Sequence, residues 1–169
     1  LDDYLEAYAP NVTAFFDTRD DYPNALLSPD GTVRTLPIGD ESAHNIIDSQ
    51  LWINQKWLDQ LNLQMPETPE ELKEVLIAFR DQDPNGNGIQ DEIPFTFENA
   101  WGWGNTIENV FGAWGVLENG YHVFTEDGKV TFSAKEQGYY DTLSYLHDLY
   151  QEELIDHDVF TLSEEQYSA

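Results

Sequence analysis

A loop rich in aspartate, asparagine and glycine constrains this chain more than any other segment. It reads DPNGNGIQDEIP over residues 83–94 and directly follows an amphipathic helical pattern. Asp83, Asn85 and Asn87 alternate along the loop, so their side chains can converge on one point, and Gly88 lies where the chain must turn sharply. This order matches the first, third and fifth ligand positions of an EF-hand loop, which binds Ca²⁺ through oxygen atoms.

The second half of the loop supplies further oxygen donors. Ile89 can offer its backbone carbonyl, and Asp91 and Glu92 add carboxylates earlier than the twelfth position of an EF-hand. A donor set without His or Cys favours Ca²⁺ over Zn²⁺ or Cu²⁺. The alternative is an ordinary turn without an ion, since Asp, Asn and Gly also form turns. All the donors are local and no base or nucleophile adjoins them, so we expect a structural ion.

Helices are predicted before the loop. A helix start is predicted at Thr68, which is the N-cap. Pro69 follows in the first turn, and Glu71 closes a capping box. A second helix is predicted over residues 51–62, and Pro10 interrupts a helical spacing near the beginning of the chain. The apolar stripe of the helix after Thr68 comprises Leu72, Val75, Leu76 and Phe79.

Strands are predicted after the loop. IPFTF at residues 93–97 indicates a buried strand, and YHVFTEDGKVTFS at residues 121–133 predicts a hairpin that turns at Asp127-Gly128. Ser133 and Glu136 predict a second capping box that opens another helix. Because helices and short strands are mixed along the chain, an α/β fold class is favoured.

Charge and composition exclude several functions. The 169 residues include 7 Lys and Arg against 33 Asp and Glu, for a formal net charge of −26. That field repels phosphate backbones, so we expect no nucleic-acid partner. The chain has no Cys for disulfide or thiol chemistry, and no apolar run approaches the roughly 20 residues of a membrane span. Its opening, LDDYLEAYAP, reads like the middle of a protein, so we expect a fragment of a longer chain.

Several motifs together resemble one protein family. They are an extended segment at residues 33–37, VRTLP, and the continuous run LWINQKWLDQLNLQMPETPEELKEVLIAFRDQDPNGNGIQDEIP at residues 51–94. The run resembles the bacterial extracellular solute-binding proteins of ABC importers, family 1. That family includes maltose-binding and alginate-binding proteins and lipoproteins of Gram-positive bacteria. In the alginate-binding relatives the corresponding loop holds calcium, which implies a Ca²⁺ site on the side chains of Asp83, Asn85, Asn87, Asp91 and Glu92 and the carbonyl of Ile89.

The resemblance also implies a fold and a function. The fold is α/β and type II periplasmic-binding-protein-like, with this chain forming mostly one lobe of a two-lobe clamshell. Residues 1–40 would be a lead-in and interlobe crossing segment, and residues 41–169 an incomplete second, ligand-binding lobe with its calcium loop at 83–92. The expected function is capture of an oligosaccharide and its delivery to the transmembrane subunits of an ABC permease. We expect a monomer on the outer surface of a Gram-positive bacterium, held by a lipid anchor absent from this chain.

Aromatic side chains after the predicted strand are candidates for sugar binding. Sugar sites pair flat aromatic faces with pyranose rings and planar polar groups with hydroxyls. In maltose-binding protein the comparable segment carries an acid and aromatics that touch sugar. By this resemblance the candidates are Trp101, Trp103, Glu98 and Asn99, with His44 and Asn45 after the crossing segment. Packing of the tryptophans in a core is the alternative, because an aromatic stripe more often lies inside a protein.

Catalysis is not expected. The chain contains no H-E-x-x-H, G-x-S-x-G, Walker or GxGxxG motif, and no carboxylate pair stands out from its many acidic residues. Two other functions remain open at this point. One is a calcium-stabilised carbohydrate-binding or adhesion module unconnected to transport, and the other is an accessory piece of a glycoside hydrolase.

Overall fold

Helices joined by short loops make up most of the regular structure. The computed structural model of the chain describes residues 1–18, 26–36, 50–97, 107–119 and 121–167. The chain divides into two compact units, Leu1–Ile46 and Ile47–Ala169, and each is treated separately below. None of the described helices is long and apolar enough to cross a membrane.

The first unit begins with two short helices. Helix α1 spans Asp2–Tyr8 and helix α2 spans Pro10–Phe16, with Pro10 in the first turn of α2 as its fixed φ favours. A turn at Asp30 and Gly31 follows, and it is closed by an antiparallel bridge from Leu27 to Val33. The predicted interruption at Pro10 is therefore confirmed.

The second unit opens with a pair of capped helices. Helix α3 spans Gln55–Leu61, and the side chain of its N-cap, Asn54, accepts hydrogen bonds from backbone N–H groups of the first turn. Helix α4 spans Pro69–Asp81, and the Thr68 hydroxyl accepts from the backbone N–H of Glu71 at 3.2 Å. These bonds satisfy N–H groups that would otherwise lack partners at a helix start. The predicted cap at Thr68 is confirmed.

Two apolar clusters form the core of this unit. One joins α3 to α4 through Leu58, Val75 and Phe79, with the Trp57 ring meeting the Phe79 ring edge-on at 5.1 Å between centroids. The other joins α4 to the C-terminal third of the chain. Its buried members are Leu76, Phe97, Leu149, Leu154, Ile155 and Val159. The apolar stripe predicted for α4 therefore faces both clusters.

The hairpin follows a 3₁₀ helix, Ile107–Trp114. Strands β1, Val123–Glu126, and β2, Lys129–Phe132, pair antiparallel, with Glu126 opposite Lys129. Asp127 and Gly128 both have positive φ, at 49° and 73°, as a type I′ turn requires. The predicted hairpin and its turn are confirmed.

The predicted capping box at Ser133 is wrong. Ser133–Lys135 forms a separate 3₁₀ helix, and helix α5, Gln137–Gln151, begins without a side-chain cap. The Ser133 hydroxyl instead donates to the Glu118 carboxylate. A buried carboxylate needs donors more than a helix end does, because the helix end can reach water. Helix α6, Glu164–Tyr167, is the last described element.

The segment at residues 93–97 forms no strand and is only partly buried. Its one described bridge is parallel and joins Phe95 to Ile155, where the backbone N–H of Asp156 donates to the Phe95 carbonyl at 2.9 Å. Phe97 is buried, whereas Ile93 is 53% exposed. The prediction of a buried strand is therefore wrong, because the segment makes only an isolated bridge within the described residues and leaves Ile93 and Thr96 exposed.

Candidate functional site

Asp83 organises the predicted calcium loop. Its carboxylate accepts hydrogen bonds from the backbone N–H groups of Gly86, Asn87 and Gly88, at 2.9, 3.1 and 2.8 Å. The two glycines have φ of 73° and 82°, a region in which other side chains are strained. The chain therefore curls around the Asp83 carboxylate, as a ligand loop must if its donors are to point inward.

Two asparagines bring Asp91 into the same cluster. The side-chain oxygens of Asn85 and Asn87 accept from the backbone N–H groups of Asn87 and Ile89, at 2.9 and 2.7 Å. Their amide nitrogens lie 3.3 and 3.1 Å from Oδ1 of Asp91. The predicted donors Asp83, Asn85, Asn87 and Asp91 thus share one network of hydrogen bonds.

The Glu92 carboxylate is the least compensated polar group of the loop. Both of its carboxylate oxygens are buried and have no hydrogen-bond partner in the described part of the chain. A buried carboxylate without a partner is costly, so a nearby positive charge is the expected compensation. No hydrogen bond of the described residues uses the Ile89 carbonyl, which leaves that oxygen available as a ligand.

The donor set fits Ca²⁺ better than a transition metal. Within the described ranges, no three His, Cys, Asp or Glu side chains gather as they would around a metal, so Asp83, Asp91 and Glu92 do not form a site of three carboxylates. The loop offers mostly amide, carboxylate and carbonyl oxygens from the residues predicted above, and this mixture is typical of calcium sites. The residues present therefore fit Ca²⁺, with the amide oxygens of Asn85 and Asn87 among the donors.

The end of helix α4 fixes the start of the loop. The Arg80 guanidinium contacts the Asp81 carboxylate at 2.7 Å and donates to the carbonyl of Glu152 at 2.6 Å. The hydrogen bond from Arg80 lowers the pKa of Asp81. Gln90 donates back to the Asp81 carbonyl at 3.3 Å. The loop is thus held to the end of α4 and, through α4, to the segment that follows α5.

The predicted solute-binding residues fall outside the described ranges. Trp101, Trp103, Glu98 and Asn99 belong to residues 98–106, and His44 and Asn45 belong to residues 37–49. Their role therefore stays a prediction. Of the other tryptophans, Trp57 packs on Phe79 and Trp114 on Tyr145, whereas Trp52 is 84% exposed.

A polar cluster beside the hairpin was not predicted from the sequence. The Glu118 side chain, 2% exposed, accepts from the Ser133 hydroxyl and lies 2.7 Å from Nδ1 of His122. Burial acts to raise the pKa of Glu118, but the hydrogen bonds from Ser133, His122 and the N–H of Asn119 outweigh it and lower the pKa. The cluster links the segment before the hairpin, the start of the hairpin and the residue that follows β2. In the sequence, only the alternation of charged and apolar residues near the hairpin could have indicated it.

A largely apolar groove lies in the second unit. It encloses about 620 Å³ and is lined by side chains from α3, α4, the first 3₁₀ helix and α5. Trp57, Trp114 and Tyr145 supply aromatic faces, and Asn109 supplies an amide. Both polar atoms of the Asn109 side chain are buried and unpartnered within the described residues. No sequence pattern indicated Asn109, because the burial of its side-chain amide depends on tertiary packing.

Comparison with known proteins gives consistent results. No protein-family model matches the chain. It is 37% identical, over 95% of its length and 31% of the relative's, to the fructooligosaccharide ABC transporter substrate-binding protein FusA of Streptococcus pneumoniae. It is 32% identical, over 82% of its length and 28% of the relative's, to lipoprotein LipO of Bacillus subtilis.

Solved structures show the same likeness. FusA of S. pneumoniae in complex with kestose superposes with a TM-score of 0.79 at 35% identity, over 98% of this chain and 35% of that one. An EF-hand mutant of FusA in complex with fructo-nystose gives 0.78 at 34% identity, over the same shares of the two chains. The alginate-binding protein AlgQ2 without calcium ion gives 0.75 at 27% identity, over 98% of this chain and 32% of that one.

The likeness covers nearly all of this chain but only part of the relatives. The chain spans about a third of the length of FusA, both in sequence and in the solved structure. Its α/β, type II periplasmic-binding-protein-like fold corresponds to part of one lobe of the two-lobed relatives. By these matches, the chain is homologous to the extracellular solute-binding proteins of ABC transporters.

Proposed function

We propose that this chain is part of a receptor that captures an oligosaccharide outside the cell and delivers it to the transmembrane subunits of an ABC permease. The observation that carries this proposal is the 37% identity to FusA over 95% of the chain. FusA is a fructooligosaccharide-binding protein by name and has been solved with kestose. A lipid anchor at the cell surface is supported by the likeness to the lipoprotein LipO. The comparisons do not favour an adhesion module unconnected to transport.

The sequence-based assignment of the binding residues is kept as part of the proposal. Trp101 and Trp103 stack on sugar rings, Glu98 and Asn99 bind hydroxyls, and His44 and Asn45 line the same cleft from the crossing segment. Residues 1–40 lead into the lobe formed by residues 41–169. The protein binds its solute as a monomer and performs no catalysis, in line with relatives that are named binding proteins.

Tryptophan fluorescence tests the proposed solute site. Kestose should change the emission of the chain expressed with the flanking coding sequence of its gene, here called the extended protein. Trp101→Ala combined with Trp103→Ala should lower the affinity at least tenfold. Trp52→Ala is the matched control, since Trp52 is exposed and outside the proposed site. Equal affinity in the double variant and the parent would refute the assignment, and release of reducing sugar would refute a purely binding role.

We further propose that the loop at 83–92 binds a structural Ca²⁺. Its ligands are the side chains of Asp83, Asn85, Asn87, Asp91 and Glu92 and the carbonyl of Ile89. The Glu92 carboxylate, which is buried and has no partner among the described residues, supports this proposal most directly. When bound, the ion neutralises the clustered carboxylates and joins the end of α4 to the segment at residues 93–97. Relatives include an EF-hand mutant of FusA and a calcium-free form of AlgQ2.

Thermal unfolding with and without Ca²⁺ tests the ion site. An ion at 100 times its Kd stabilises the folded state by about 2.7 kcal/mol, which raises the Tm of a chain of this size by about 5–10 °C. Glu92→Gln should abolish this response and should raise the Tm in EDTA, because it removes an unpaired buried charge. Glu74→Gln, an exposed change of the same kind on α4, should leave the response intact. A Tm indifferent to both EDTA and Ca²⁺ would refute the site.

A further inference from the structure

The loop at residues 83–92 contains two asparagine–glycine pairs, Asn85–Gly86 and Asn87–Gly88. An asparagine that precedes glycine is prone to deamidation, because glycine has no side chain to keep its backbone nitrogen away from the carboxamide carbon Cγ. All four residues are exposed, so water and solvent bases reach both pairs. The loop therefore has the composition and the exposure of a chemical modification site.

Deamidation at such a pair needs no enzyme and no cofactor. The glycine nitrogen gives its proton to a solvent base and forms a bond to Cγ of the asparagine. The Cγ–Nδ2 bond then breaks, and the nitrogen takes a proton from solvent and leaves as ammonia. Water opens the resulting succinimide ring at one of its two carbonyls, which gives aspartate or isoaspartate. The reaction therefore requires a free glycine nitrogen and a carboxamide that can turn toward it.

The Asp83 carboxylate holds the attacking nitrogen of each pair. Its Oδ1 accepts from the backbone N–H of Gly86 at 2.9 Å, and its Oδ2 accepts from that of Gly88 at 2.8 Å. These charge-assisted hydrogen bonds must break before either nitrogen can react. The carboxylate also opposes removal of the proton, since the nitrogen would become negative beside it. One side chain therefore restrains both nucleophiles.

The two carboxamides are also held at both ends. The side-chain oxygens of Asn85 and Asn87 accept from the backbone N–H groups of Asn87 and Ile89, at 2.9 and 2.7 Å. Their nitrogens lie 3.3 and 3.1 Å from Oδ1 of Asp91. These contacts restrict rotation of the carboxamides, but the contacts to Asp91 are longer than those that Asp83 accepts from the glycines. Asp83 therefore provides the stronger restraint.

We propose that the two asparagine–glycine pairs are deamidation sites, whose reaction the Asp83 carboxylate suppresses while the loop is folded. Transient opening of the loop releases both glycine nitrogens, so the asparagines convert slowly to aspartate and isoaspartate. Aspartate adds a negative charge to a loop that is already acidic, and isoaspartate adds an atom to its backbone. Modification therefore weakens the loop. This inference does not depend on the solute or on Ca²⁺.

Peptide mapping by mass spectrometry tests this proposal. The extended protein is incubated at neutral pH in EDTA, so that Ca²⁺ has no part in the result, and the rate of deamidation is measured at each asparagine. Asp83→Asn should raise the rates at Asn85 and Asn87 by about tenfold or more, toward the rates in urea. The introduced amide precedes Pro84, whose nitrogen carries no proton, so it adds no reactive pair. Asp59→Asn, the same change at an exposed position of α3, should leave both rates unchanged.

Asn119 provides a reference within the same molecule. It precedes Gly120 and forms the third asparagine–glycine pair of the sequence. In Asp83→Asn, the rate at Asn119 should equal that of the parent. A rise at Asn119 as well would mean that the variant has unfolded, and backbone hydrogen exchange of the parent then decides. The amides of Gly86 and Gly88 should exchange at least about tenfold more slowly in the folded parent than in the unfolded chain.

Four results would overturn the proposal. The first two are deamidation of the folded parent at the rate in urea, and unprotected hydrogen exchange at Gly86 and Gly88. The third is a rate in Asp83→Asn that equals that of the parent or falls below it, and a lower rate would show that Asp83 acts as the base of the reaction. The fourth is a larger rise in Asp91→Asn than in Asp83→Asn, which would place the restraint on the carboxamides.

Discussion

The side-chain amide of Asn87 donates to both carboxylate oxygens of Asp91, at 3.1 and 3.3 Å. A cation between these side chains would take over the role of the amide hydrogens, with the amide oxygen turned toward the ion. Substitutions at Asn87 or Asp91 can therefore show whether hydrogen bonds alone or an ion hold the loop.

Asn87→Asp should separate these two situations. In EDTA the new carboxylate faces Asp91 and lacks the amide donor, so the Tm should fall by several degrees. With Ca²⁺ the additional charge strengthens the ligand set, and the Ca²⁺ affinity should rise several-fold. Differential scanning calorimetry in EDTA and calcium titration calorimetry measure the two effects. A lower Tm in both conditions would contradict an ion site.

Removing the hydroxyl of Thr68 should destabilise the second unit. The hydroxyl accepts from the N–H of Glu71 at 3.2 Å, while the Glu71 carboxylate accepts from the N–H of Glu67 at 2.7 Å. Thr68→Ala should lower the free energy of unfolding by about 1 kcal/mol. Thr68→Ser keeps the oxygen and should stay within about 0.5 kcal/mol of the parent in urea denaturation. A larger loss with serine than with alanine would contradict the capping role.

Gly138→Ala should destabilise the chain although alanine favours helices. A Cβ at Gly138 would lie 2.5 Å from the carbonyl oxygen of Trp114 and 2.8 Å from Cγ2 of Val116. The backbone contact cannot give way easily, so the expected loss is about 1–3 kcal/mol. Gly112→Ala meets no atom within 4 Å and is the control in the same urea denaturation. Equal stability of the two variants would show that α5 can move away from Trp114.

The Glu118 cluster should make stability depend on pH. The pKa of Glu118 is lowered, so its contribution is present above the unfolded-state pKa of about 4.3 and is lost as the pH falls through the lower folded-state pKa. Glu118→Gln should therefore cost about 1–3 kcal/mol at pH 7 and progressively less below about pH 4. Urea denaturation across this range measures the difference.

The exposed residue Glu126 on β1 provides the control for that experiment. Glu126→Gln should follow the parent at every pH, because a change of one surface charge acts only through the overall field of a strongly acidic chain. A pH-independent deficit in Glu118→Gln would show that packing of the side chain, and not its ionisation, stabilises the hairpin.

Local chemistry explains the features that sequence reasoning found. The hydroxyl of Thr68 needs only the next turn of the chain, and Asp127-Gly128 needs only the positive φ that these residues tolerate. The curl of the 83–92 loop likewise rests on contacts between residues at most a few positions apart, such as Asp83 with Gly88. These interactions join residues close together in the sequence, so they can be predicted without knowledge of the fold.

Tertiary structure alone decided the remaining features. The Ser133 hydroxyl donates to the carboxylate of Glu118, 15 residues earlier, and does not form the predicted cap. Burial of that carboxylate makes its hydrogen bonds stronger. The pairing of Phe95 with Ile155, and the Asn109 amide that has no partner within the described ranges, also depend on which segments meet in space. The sequence by itself determined the helix start at Thr68, the turn at Asp127-Gly128 and the ordered oxygen donors, since these need only neighbouring residues. Burial decides how much the hydrogen bonds of each polar group contribute to stability, and burial arises only when distant segments pack together.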